Sequence, residues 1–137
     1  MPADETFCTL RFRGSFESAA ITRHLGLVPT RTFDPGDLIG NGRSDRRFEH
    51  SGWFLESRHI VESHEIEEHL AWLLDQLEPG WHELAEILTP DIAADVDCFW
   101  SSIGTSGGPW IPPEAMARLG ALGLPLLISF YYSEIEQ

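Results

Sequence analysis

The sequence predicts an α+β fold, a single two-layer domain over residues 1–137 with helices packed on one mixed or mainly antiparallel sheet of four to five strands. Three observations carry this. Strand-like alternation and helical periodicity follow one another in the order β-α-β-α-α-β-α-β. The longest helical run carries one apolar stripe, which needs a sheet or another helix to cover it. The chain has 137 residues, 42% of them hydrophobic and including 8 Phe and 5 Trp, enough to bury a core without disulfide or metal staples.

Each element has its own local cause. In Glu5 to Gly14, ETFCTLRFRG, Cys8, Leu10 and Phe12 alternate with Thr9, Arg11 and Arg13, the period of a half-buried strand. Phe16, Ala20, Ile21 and Leu25 then have helical spacing, and Gly26 is placed to stop that helix. VPTRTFDPGDLIGNGRSDRRFEHSG is rich in Gly, Pro, Asp and Ser and reads as a long loop with a short strand inside it. Loops of this length in compact domains are often functional. Ser51 to Ile60 reads as the next strand. Ser63 is placed to cap the long helix after it, which Pro79 and Gly80 end. WHELAEIL is a further helical run, and Ala94 to Ile103 a strand. Pro112 and Pro113 open the short helix EAMARLGAL. The apolar run Leu124 to Tyr132 predicts a closing strand buried on both faces.

Charge is distributed unevenly. The net charge is −13, yet residues 1–59 balance eight Arg against eight acids, whereas residues 60–137 hold fourteen acids and only Arg118. Such a field repels nucleic-acid phosphates and anionic membranes and speeds encounter with a basic protein. No apolar run reaches the ~20 residues of a membrane span, and MPADETFC has no signal-peptide pattern, so the expected compartment is the cytoplasm. Cys8 and Cys98 share parity with apolar neighbours and read as buried thiols, not redox or nucleophilic groups.

The stretch SHEIEEHLAWLLDQLEPGW raises the question of a metal site. A zincin places its histidines four apart, so that both reach one ion. His64 and His69 are five apart, about 140° around a regular helix, and cannot share one. Glu65 and His69 are four apart but make only two ligands, so no metal and no cofactor is expected. Ile66, Leu70, Leu73, Leu74 and Leu77 form the buried stripe. Trp72, bracketed by Glu68 and Asp75, projects away from it, and these three residues form a candidate partner-binding patch if the WHELAEIL helix does not cover the ring. Arg31, Arg43, Arg46 and Arg47 are balanced within the long loop by Asp34, Asp37, Asp45 and Glu49. GTSGGP lacks the ending of a phosphate-binding loop, and no GxSxG elbow occurs.

The blocks LGLVPTRTFDPGD, SGWFLES, EEHLAWLLDQLEP and EAMARLGALGLPLLISFYY, in that order and spacing, resemble a bacterial family catalogued as domain of unknown function 4279, over roughly residues 7 to 132. The resemblance implies a small α+β domain and no established activity. The expected function is therefore a non-enzymatic protein-binding domain, an immunity-type or regulatory partner using an acidic face. The competing expectation is a small-molecule or metal-dependent activity in a cleft between the 30–50 loop and the sheet, using Arg31, Asp37, Trp53 and one or more histidines. Self-association is the third.

Overall fold

The alternating N-terminal run forms β1 (Glu5–Gly14), with Cys8, Leu10 and Phe12 fully buried on one side. In the computed structural model, which describes residues 3–40, 45–103 and 107–133, β1 lies at the middle of an open five-stranded sheet. Its neighbours are β2 (Arg31–Phe33) and β3 (Ser51–Glu56) on one side, and β4 (Ile92–Ile103) and β5 (Leu126–Ser133) on the other. β1 pairs antiparallel with both β3 and β4, β2 pairs antiparallel with β3, and β5 runs parallel to β4. The sheet is thus mixed and the fold α+β. The short strand expected within the long loop is β2.

Four helices supply the second layer: α1 (Ser18–Leu25), α2 (Ile66–Leu77), α3 (Trp81–Ile87) and α4 (Pro113–Ala121). The predicted stripe of α2, Ile66, Leu70, Leu73, Leu74 and Leu77, is buried to 2% exposure or less. It belongs to one cluster with Cys8, Leu10, Phe12, Trp53, Leu55, Val96 and Trp100 of the sheet. Each such side chain contributes roughly 1.5–3 kcal/mol relative to leaving it in water. Gly26 ends α1 as expected: its φ of 67° is left-handed, and its N–H donates to the Thr22 carbonyl. The start of α2 differs from expectation. Glu65 is extended and the helix begins at Ile66, while the Ser63 hydroxyl accepts the Glu65 N–H without capping the helix. His64 and Glu65 therefore precede the helix, and the angular argument that separates His64 from His69 does not apply to them.

The expectation of a doubly buried closing strand is corrected. β5 is an edge strand, because its crossover through α4 places it outside β4 with no further strand beyond it among the described residues. Leu127, Ile128, Phe130, Tyr131 and Tyr132 are all exposed.

Opposite the helices, the sheet is closed by polar and aromatic pairs. Arg11 grips Asp95 across the β1–β4 ladder with two hydrogen bonds, of 2.6 and 2.8 Å. Phe7 stacks on Phe99 at 4.9 Å, and the Arg58 guanidinium lies over Phe7. On the buried side Cys8 and Cys98 face one another with their sulfurs 3.3 Å apart, both as free thiols. Burial, then the facing Cys98, pushes the Cys8 thiol well above its ordinary range, so it stays protonated and unreactive. Among the described residues no helix is long and apolar enough to cross a membrane.

Candidate functional site

The histidines come together, though not as ligands. The turn after β3 and the segment before α2 enclose a hollow of about 530 Å³ lined by Phe7, Arg58, His59, Ser63, His64 and His69, among others. His64 Nδ1 donates to the Ala3 carbonyl at 2.8 Å, and Ala3 N–H donates back to the His64 carbonyl, so this histidine fastens the N-terminal segment. His69 is 1% exposed. Its Nε2 lies 2.7 Å from the Ser63 carbonyl, which can only accept, so Nε2 carries the proton. Its Nδ1 is left to accept from the Ser57 hydroxyl at 2.6 Å. Ser57 Oγ in turn accepts the Cys8 N–H at 2.9 Å. Both nitrogens of His69 are thus committed to holding the end of β3 and the N-terminus of α2 together. Among the described residues no group of three or more His, Cys, Asp and Glu side chains could hold a metal ion.

A hydrogen-bonded Ser–His pair has the form of a nucleophile and its base. Here Ser57 is fully buried and its oxygen already serves Cys8, so no substrate atom can approach it. The contact is non-local, and nothing in the spacing of SRHIVESHEIEEH marks it.

The three residues of the Trp72 patch have different surroundings. Glu68 is exposed. Trp72 is half-buried and packs against the core cluster, and Asp75 is held by Arg118 at 2.6 Å. The same guanidinium grips Glu78 with hydrogen bonds of 2.9 and 2.6 Å and holds the Glu78 carboxyl below the usual carboxylate range. Trp110, before α4, is 57% exposed, and the exposed tryptophan at the junction of α2 and α3 is Trp81. It opens α3 after the 3-10 turn Glu78–Gly80, is 53% exposed, and stacks on His82 with ring centres 3.5 Å apart. Glu83 and Glu86 of the same helix are exposed, and Glu86 lies 3.7 Å from His24 of α1. Sequence reasoning misses Trp81 because its spacing with Leu84 and Leu88 reads as the covered face of that helix, and its exposure is decided by non-local packing.

A cleft of about 960 Å³ lies between the long loop and the sheet, where the small-molecule expectation placed one. Its lining includes Arg13, Phe33, Arg46, Arg47, Phe48 and His50, with Phe33 and Phe48 stacked at 3.7 Å. Gly52 on β3 makes room for this stack, since a Cβ there would overlap the Phe33 and Phe54 rings. Arg31, Asp37 and Trp53 are not in that lining. Arg31 lies over the Phe54 ring at 4.6 Å, and Asp37 accepts the Asp34 N–H at 2.7 Å. Trp53 points through the other side of the sheet into the core, where its indole N–H donates to Thr22 Oγ1. Neighbouring strand residues face opposite ways, so Arg31 and Phe54 share one face and Trp53 has the other.

Asp34 anchors the loop that forms this cleft. Its carboxylate accepts both the Ser18 N–H (2.9 Å) and the Ser18 hydroxyl (2.6 Å), acting as the cap that α1 lacks from its own N-cap residue, Glu17. The Ser18 hydroxyl first, then the Ser18 N–H, hold the Asp34 carboxyl below the ordinary value. A depressed carboxyl contributes stability that is present above its unfolded pKa and is lost as pH falls through the folded one. Asp34→Asn is therefore expected to flatten the acid limb of melting temperature against pH below about 4. Parallel limbs in the two proteins would contradict this role.

Sheet order, helical layer and the engaged state of the polar groups define the class: a two-layer α+β fold with an open mixed sheet. The chain belongs to the family described as Domain of unknown function (DUF4279), whose model matches residues 4–133. No curated protein matches the chain. No solved structure matches it.

Proposed function

We propose that the protein is a non-enzymatic protein-binding domain, of the immunity or regulatory kind, whose acidic helical layer receives a basic partner. The observation that carries the reading is the setting of Trp81. This ring keeps half its surface in water within Ile66–Ile87, a stretch that holds six acids, Glu67, Glu68, Asp75, Glu78, Glu83 and Glu86, and no arginine. An indole offers a large, rigid, apolar anchor, and tryptophan is enriched among the few residues that dominate binding energy. The carboxylates of α2 and α3 favour a cationic approach and raise the association rate more than the final affinity. Asp75 and Glu78 are already paired with Arg118, which leaves Glu67, Glu68, Glu83 and Glu86 to supply the field. The candidate nucleophiles give the catalytic alternative little support, because Cys8, Cys98 and Ser57 are buried.

Immobilised protein exposed to a lysate of its source organism is expected to retain a basic protein. The double variant Trp81→Ala, Glu86→Arg is expected to lose it, since a central tryptophan anchor is worth about 2 kcal/mol or more. Equal recovery on both surfaces, or recovery of no basic protein, would overturn the assignment of this face.

A further inference from the structure

The edge strand β5 has a property that the acidic layer does not explain. Edge strands are normally short, charged, bulged or interrupted by proline, because their free N–H and C=O groups invite pairing. Leu126–Ser133, LLISFYYS, has eight residues with no charge and no proline. Leu127, Ile128, Phe130, Tyr131 and Tyr132 are 41% to 58% exposed.

The ladder with β4 fixes which backbone groups are free. Val96 N–H donates to the Pro125 carbonyl at 2.9 Å, and Val96 is opposite Leu126. In a parallel pair, alternate residues turn both polar groups the same way. Leu127, Ser129 and Tyr131 therefore bond to β4, and Leu126, Ile128, Phe130 and Tyr132 direct their N–H and C=O groups away from the sheet. Such an edge is satisfied by another strand.

The side chains say what kind of strand. Leu127 and Tyr131 stand on the helix-free face, and Ile128, Phe130 and Tyr132 on the helical side, so the occupant must be apolar on both faces. Among the described residues β5 is itself the strand with that pattern and a free edge. The opposite edge, β2, has three residues and begins with Arg31. Two copies of a chain of net charge −13 repel one another over most approaches, and an uncharged line of contact is where that repulsion is least.

We propose that β5 pairs antiparallel with β5 of a second copy about a two-fold axis at Ser129, joining two five-stranded sheets into one. Like parity restricts the register, and centring on Ser129 is the choice that engages all four outward residues, Leu126, Ile128, Phe130 and Tyr132. Centring on Ser129 sets Ile128 against Phe130 of the second copy, and Leu126 against Tyr132, so outward-facing backbone meets outward-facing backbone and the ladder closes. A slip of one residue would oppose an outward residue to an inward one. The same register sets Leu127 against Tyr131, giving aliphatic–aromatic contacts on both faces. The two-fold keeps all helices on one side, leaving Trp81 and its acids open in each copy.

Sedimentation equilibrium is expected to give twice the 15.4 kDa chain mass, and Ile128→Lys with Phe130→Lys is expected to give the monomer with an unchanged far-UV spectrum. Ser129→Cys tests the register independently. Opposed residues of a non-hydrogen-bonded pair have Cα atoms about 4.5 Å apart, within disulfide reach. Oxidation should therefore convert this variant to a covalent dimer, whereas Leu126→Cys and the wild type, with Cys8 and Cys98 buried, should not cross-link. Should the lysine variant fail to fold, the cross-link decides alone. A wild-type monomer at all concentrations, a dimer that survives the lysines in a folded variant, or no cross-link in the Ser129→Cys variant would each overturn the proposal.

Discussion

Trp53→Ala is expected to lower the free energy of unfolding by roughly 3–5 kcal/mol, the range for truncating a fully buried large aromatic. The indole has no exposed surface, lies 5.6 Å from the Phe12 ring, and belongs to the cluster that joins β3, β1 and α2. Its removal leaves a cavity that neighbours on fixed strands cannot fill, and it takes away the donor to Thr22 Oγ1 at 3.0 Å. A domain of this size has about 5–15 kcal/mol in total, so the loss is a large share of its stability. Trp53→Phe separates the two contributions, because it keeps most of the apolar contact and loses the hydrogen bond. Urea titration of the three proteins gives the answer. A loss under about 1 kcal/mol for the alanine variant would mean that Trp53 is not a core residue.

Ser57→Ala is the second large effect, and it is an effect on stability. The variant strands two buried groups, the Cys8 N–H and His69 Nδ1, each costing about 1–3 kcal/mol when left unsatisfied. The end of β3 and the start of α2 should loosen together, visible as faster hydrogen exchange at Cys8 and along the first turn of α2. His69→Leu should show the same pattern with Ser63 released in place of Cys8. Partner capture by the Trp81 face should be unaffected in either variant, provided it is assayed below its melting temperature. Unchanged stability in both variants would remove the clamp and reopen a chemical role for the pair.

What the sequence reveals here is what is local. The α2 stripe, the alternation of β1, the αL stop at Gly26 and the short strand inside the long loop are read from neighbours within a few residues, and all appear in the structure. The errors are failures of non-local information. An apolar run such as LPLLISFYY looks the same in the middle of a sheet and at its edge, and only the strand order distinguishes them. Arg31 and Trp53 can be imagined lining one cleft until the β2–β3 register sets them on opposite faces. His64 and His69 can be placed on one helix until the extended Glu65 starts that helix later. The Trp72 patch depends on helical phase within α2 alone, whereas its surroundings are decided by Arg118 on α4, more than forty residues on. Trp81 is a further case: it has helical spacing with Leu84 and Leu88, which reads as a covered face, yet the ring at the first position of α3 is 53% exposed.

On the function proposed above, Trp81 and the carboxylates of α2 and α3 form the binding face. Calorimetric titration of the captured basic partner into wild type, Trp81→Ala and the charge reversal Glu83→Arg, Glu86→Arg tests it most directly. Trp81→Ala is expected to weaken binding by about tenfold or more, and the charge reversal to weaken it and reduce its salt dependence between about 0.05 and 0.5 M. Equal affinity of all three proteins for the partner would contradict it.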